Sequence, residues 1–83
     1  MYIVVFTPKA ENQLKKLEFD IQERIIKTLE RVKIRPEQFV EKLVGEIGYK
    51  LRVGNHRVFL DLLYDKLVIL VLEVGHRKNT YKN

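Results

Sequence analysis

A Gly-Asn pair at 54–55, set between two stretches of alternating apolar and polar residues, constrains this chain more than any other feature. Tyr49 to Val53 alternates cleanly and His56 to Leu63 returns. A two-residue loop whose members both tolerate positive φ is the mark of a β-hairpin with a primed turn. Its register follows directly: Val53 faces His56, Arg52 faces Arg57, Leu51 faces Val58 and Lys50 faces Phe59. Period-two alternation then sends Leu51, Val53, Val58 and Leu60 to one face, which must be covered. Lys50, Arg52 and Arg57 share the other.

The preceding residues supply the cover. Residues 2–6 (YIVVF) are β-branched and aromatic and read as a first strand. Thr7-Pro8 starts a helix, with Thr as N-cap and Pro where its missing donor costs nothing. Ala10, Leu14 and Leu17 recur at helical spacing. Asp20-Ile21-Gln22-Glu23 has the form of a capping box. It is followed by Ile21, Ile25, Leu29 and Val32 on one face of a second helix, with Ile26 beside them. That helix is expected to end near Arg35-Pro36, because the residue before proline avoids helical angles. Val40 to Val44 is a short strand or an extended arm, ended by Gly45-Glu46-Ile47-Gly48. Beyond the hairpin, Tyr64-Asp65-Lys66 turns the chain into Leu67 to Val74, a strand so apolar that it reads as central and covered on both faces. The order β-α-α-β-β-β predicts an α+β fold, a helical hairpin packed on a mainly antiparallel sheet, with residues 1–83 as a single domain.

Composition narrows the chemistry. None of the 83 residues is cysteine, which removes disulfides, thiolate nucleophiles and Cys-ligated zinc. The longest apolar run, Leu67 to Leu72, is too short to span a membrane, and the first residues lack a signal-peptide pattern. The expectation is a cytoplasmic protein with no membrane partner, no metal and no small-molecule cofactor. Sixteen Lys and Arg against 11 Asp and Glu leave a formal net charge of +5. Residues 1–48 carry only +1 of it, and residues 49–83 carry +4.

That surplus is placed unevenly. Arg52 and Arg57 are direct cross-strand neighbours, and like charges so placed destabilise a sheet by something within roughly 0.2–1 kcal/mol. Any one of these cations alone reads as ordinary solvated surface. Three converging over two strands with no acid among them read as an anion site, and Arg forks bidentately onto phosphate. The C-terminal stretch Gly75-His76-Arg77-Lys78-Asn79-Thr80-Tyr81-Lys82-Asn83 adds three fixed cations, a histidine, a tyrosine and no acid. Strand geometry brings Arg77 near the Gly54-Asn55 end of the hairpin. His56, His76, Lys78 and Lys82 are expected to contact a nucleic-acid ligand around this centre, although His56, flanking a turn, also reads as plain surface. Asp61, Asp65 and Glu73 are too scattered for a two-metal site, and no nucleophile triad or phosphate-binding glycine loop is present. Cations and a tyrosine suffice for RNA transesterification, in which the ribose 2′-hydroxyl attacks its own phosphate. Surrounding cations favour the phenolate that could act as base.

Tyr49-Lys50-Leu51-Arg52-Val53-Gly54-Asn55-His56-Arg57-Val58, followed by Val74-Gly75-His76-Arg77 and Tyr81, resembles the RelE branch of the RelE/ParE toxin superfamily over nearly the whole chain. The resemblance implies a toxin of a type II toxin–antitoxin system, an mRNA interferase that cleaves mRNA in the ribosomal A site and is neutralised by an antitoxin that wraps it. By that resemblance Arg57 contacts the scissile phosphate, Arg77 supports the transition state or leaving group, and Tyr81 is the general base. Lys50 matches the first of two sheet lysines. Arg52 stands where the second lysine is found, a departure, and the segment from Arg77 to Tyr81 is shorter than in that branch. Partners implied are a cognate antitoxin and the ribosome with its mRNA. Two alternatives share the fold: a ParE-like, non-enzymatic gyrase poison, and an RNA- or ribosome-binding module whose cations serve affinity alone.

Overall fold

A computed structural model describes residues 1–45 and 48–76. Strand β1 (Ile3–Phe6) leads into helices α1 (Pro8–Lys15) and α2 (Phe19–Val32). A 3₁₀ turn at Pro36–Gln38 precedes β2 (Glu41–Lys42), β3 (Tyr49–Val53), β4 (His56–Leu63) and β5 (Val68–His76). The sheet order is β1-β5-β4-β3-β2, with β1 parallel to β5 and every other pairing antiparallel. Such a parallel pair needs a long connection, and the rest of the fold lies inside it.

The hairpin register is the one the Gly-Asn pair predicts: Val53↔His56, Arg52↔Arg57, Leu51↔Val58 and Lys50↔Phe59. Gly54 has φ +59°, while Asn55 is not among the positive-φ residues, the pattern of a II′ turn with glycine first. Thr7 caps α1 as its sequence suggests. Its Oγ1 accepts from the Ala10 amide at 3.1 Å and donates to the Leu72 carbonyl at 3.3 Å, so one hydroxyl ties the helix start to β5.

The capping box at Asp20 does not form. Helix α2 begins two residues earlier, with Glu18 as an N-cap that makes no side-chain bond, and Asp20 lies in the first turn, where its charge still favours the helix dipole. The tight α1–α2 connection dictates that start. Gln22 Nε2 donates to the Leu17 carbonyl at 2.8 Å, and the amides of Ile21 and Gln22 both bond to the Glu18 carbonyl.

The core lies between the helix pair and one sheet face. Ala10, Ile25, Leu29 and Val32 meet Leu51, Val53, Val58, Leu60, Ile69, Val71 and Val74, all essentially buried. Full burial of each aliphatic side chain contributes about 1.5–3 kcal/mol before entropy is charged. Strand β5 departs from its sequence reading. It is interior, but only its helix-facing residues are buried; Leu70 is half-buried and Leu72 is 37% exposed. A single helical layer covers a single face, and a bulge between Phe59 and Leu60 leaves Leu72 as the extra residue of β5. Past the end of β1, the edge of β5 is met by α1, where Gln13 Oε1 accepts from the Val74 amide at 2.7 Å. Among the described residues no helix is long and apolar enough to cross a membrane.

Candidate active site

The hairpin carries its three cations to the face away from the helices, because their neighbours Leu51, Val53 and Val58 are buried on the helix side. The three do not share one environment. Arg52 is exposed. Arg57, directly opposite it, is only 2% exposed, among the largest buried side chains in the protein. On its other flank Arg57 faces Gly75 of β5, which brings no side chain to that position. The reading of each cation as ordinary solvated surface therefore fails for Arg57. Enclosure has already cost the Arg57 side chain most of its rotamer freedom, and at this exposure its guanidinium meets an outside anion only once the cover over it moves aside.

Lys50 corrects the sequence reading in a second respect. Strand β2 places Glu41 opposite it, and Lys50 Nζ lies 3.4 Å from Glu41 Oε1, so the cationic face does hold an acid. Glu41 is the residue that sequence reasoning missed. Its signal was Val40 to Val44 as a strand, followed by a Gly45–Gly48 turn that would fold it back on Tyr49 and Lys50. The Leu43 amide donates to the Gly48 carbonyl, joining the two flanks of that segment.

His56 and His76 are brought together, but apart from the cations. They are cross-strand partners on β4 and β5, with ring centroids 5.3 Å apart and planes at 76°. His56 is also the partner of buried Val53, so the pleat turns the pair toward the helix side while Arg57 points the other way. Burial, and secondarily the neighbouring His76, hold the His56 imidazole below its ordinary 6.5. It is neutral at pH 7. The expected sites at Arg77, Lys78, Tyr81 and Lys82 lie outside the described residues. The chain leaves β5 at His76, beside the hairpin end where His56 stands.

Tyr49 and Tyr64 lie away from the Gly54 turn, with hydroxyls 3.2 Å apart. That hydrogen bond, ahead of desolvation and nearby charges, pushes Tyr64 up to about 12, so this phenol stays protonated and is no base. What the described face offers chemically is an exposed guanidinium at Arg52, an almost wholly covered one at Arg57, and the Lys50 ammonium beside the Glu41 carboxylate. Such a set holds an anion and stabilises charge that develops on it.

This architecture and face have relatives. A family model described as the ParE toxin of type II toxin–antitoxin systems, parDE, matches residues 4–81. RelE1, a toxin candidate of Methanocaldococcus jannaschii, is 33% identical over 61 residues, covering 71% of this chain and 68% of that protein. A chain of the intact E. coli RelBE toxin–antitoxin complex is 30% identical, with a TM-score of 0.78 over 92% of this chain and 96% of its own. A chain of the Mycobacterium tuberculosis RelBE2 complex gives a TM-score of 0.85 at 24% identity, over 92% of this chain and 98% of its own, and speaks for the fold. With a family match that runs almost from end to end, and a helix pair on a five-stranded sheet as in those structures, the chain belongs to the RelE/ParE superfamily and is a RelE-like toxin of a type II toxin–antitoxin system.

Proposed function

We propose that this toxin is a ribosome-dependent endoribonuclease that cleaves mRNA in the A site. The observation that carries the reading is the enclosed Arg57 on the face it shares with Lys50 and Arg52. In this reading Arg57 grips the scissile phosphate, with Lys50 and Arg52 on the neighbouring oxygens. The 2′-oxygen attacks phosphorus as Tyr81 takes its proton, and the bond from phosphorus to the 5′-oxygen breaks. The products are a 2′,3′-cyclic phosphate and a 5′-hydroxyl, with Arg77 supporting the departing oxygen. Donors fixed in advance where charge develops are worth most in a protected site. His56, His76, Lys78 and Lys82 belong to the surrounding contact with RNA and ribosome, the two histidines from the helix side.

Purified protein added to translating ribosomes is expected to give mRNA ends mapped to the A site, abolished when the attacking ribose is 2′-deoxy. Arg57→Ala is expected to lower kcat by about 10²–10³-fold, and Tyr81→Phe to cut poorly while still binding. Intact mRNA under conditions where an authentic interferase cuts would sink the proposal, and equal loss of binding and cutting in both variants would reduce the site to an affinity module. A second reading, a ParE-like gyrase poison, is favoured by the identity of the matching family model. Inhibition of DNA supercoiling by the protein, with no mRNA cut, would establish it instead.

A further inference from the structure

The chain has two histidines, at 56 and 76. Strands β4 and β5 make them direct cross-strand partners, with ring centroids 5.3 Å apart and planes at 76°. Both are half-buried, so their surroundings hold the rings while water still reaches them. A transition metal bound ~2.1 Å from one nitrogen of each ring, with a tetrahedral angle between the two bonds, brings the ring centroids to roughly 5 Å apart. The pair therefore stands at chelating separation without a shift of either strand. A hollow of about 290 Å³ between α1 and β5 reaches His76, with Gln13, Lys16 and Leu17 on one side and Glu73 and Val74 on the other.

We propose that His56 and His76 bind a divalent transition metal of the zinc or nickel kind, which staples β4 to β5 beside the Gly54 turn. Each imidazole gives one ring nitrogen. Among the described residues no aspartate or glutamate joins them as a third ligand, so the remaining coordination positions fall to water. Such a site holds its metal less tightly than a closed four-ligand zinc centre and exchanges it readily. Its surroundings choose the metal. Lys16 lines the hollow, and Arg24 reaches the Gly54 turn, where its Nη1 stands 2.8 Å from the point at which a side chain on residue 54 would begin. These cations repel a dication, so binding depends on the imidazole–metal bond itself. Mg²⁺ and Ca²⁺, which take oxygen ligands, are thereby rejected, and metals that favour imidazole are kept. The lack of cysteine rules out thiolate zinc sites but leaves imidazole ones open. No helix or loop carries both histidines, and only the β4–β5 register joins them, so their spacing in the chain gives no sign of a site. The pair lies on the helix side of the sheet, away from Arg57, and the inference does not rest on RNA cleavage.

The test uses the full chain without a polyhistidine tag, in a buffer that binds no metal, at about pH 7.5 where an ordinary imidazole is neutral. Zn²⁺ and Ni²⁺ are titrated separately, beside Mg²⁺. Thermal melts read stability, and proton NMR with Zn²⁺ follows the two histidine rings of the wild type directly. With Zn²⁺ about tenfold above its dissociation constant, the wild-type melting temperature is expected to rise by about 5–10 °C, and Mg²⁺ to leave it unchanged. Both ring signals are expected to shift together and to saturate at one Zn²⁺ per chain. His56→Gln and His76→Gln are each expected to weaken metal binding by about tenfold or more. Each variant's rise is measured against its own metal-free melt, so a change in basal stability does not enter. Should a variant fail to fold, the wild-type NMR titration decides alone. No response of the wild type to Zn²⁺ or Ni²⁺, an equal rise in the variants, or a shift of one ring without the other would overturn the proposal.

Discussion

At the scale of single residues, His56 sets a pH dependence of the fold. Its imidazole is held below the ordinary 6.5 first by burial and then by His76 across the β4–β5 ladder. Above 6.5 both folded and unfolded chains carry it neutral, and its contribution is constant. As pH falls through 6.5 the unfolded chain takes up the proton before the folded one does, so stability declines with acidification. His56→Gln is expected to lose less stability than wild type between about pH 7.5 and about pH 5.5, as measured by urea unfolding at the two values. Identical losses in the two proteins would remove His56 from the account. The same scale shows what a linear sequence conceals. Arg57 stood out as a cation opposite Arg52, because the hairpin register is a local property of Gly54-Asn55. Its enclosure is not legible in the hairpin, because burial depends on the rest of the fold, including the choice of Gly75, eighteen residues away, as its β5 partner.

At the scale of elements, the hydroxyl of Thr7 does two jobs, capping α1 and bonding to β5 across the end of β1. Thr7→Ala removes both bonds and is expected to cost about 1–2 kcal/mol, with Thr7→Ser recovering most of it, checked by chemical denaturation. A cost no larger than that of an ordinary surface change would show that water replaces the cap. Elements with strong periodicity were legible: Ile25, Leu29 and Val32 mark α2 by their spacing, and Leu51 and Val53 mark the hairpin. Those whose identity comes from a neighbour were not. Strand β2 is two residues long and exists through its pairing with Tyr49 and Lys50, so Glu41 could not be placed beside Lys50 from its own surroundings. The start of α2 was displaced for a similar reason, because Gln22 and the bonds to Glu18 settle it and not the Asp20–Glu23 spacing. Strand β5 was read as covered on both faces from its apolar run, yet the number of covering layers is decided elsewhere in the chain.

At the scale of the whole molecule, a net charge of +5 is divided between two surfaces of different construction. On the open sheet face Arg52 stands opposite Arg57, and one acid there, Glu41, is engaged by Lys50. Along α2 the cations Arg24, Lys27 and Arg31 end at Asp20 and Glu23 on one side and at an apolar hollow on the other. A surface that neutralises phosphates releases condensed counterions, and its affinity falls with salt in proportion to the contacts made. For a single strand each contact contributes about 0.7 to the slope of log K against log salt. If RNA is held on the sheet face, Arg52→Gln lowers the slope for single-stranded RNA by about 0.7, while Arg31→Gln, on the opposite side of the fold, leaves that slope unchanged. Anisotropy titrations at several salt concentrations read both slopes from one set of proteins. Equal reductions from the two substitutions would mean that RNA runs over both faces, and the charge would then be a single diffuse attractor. Unequal ones, in the sense given, assign phosphate binding to the sheet face.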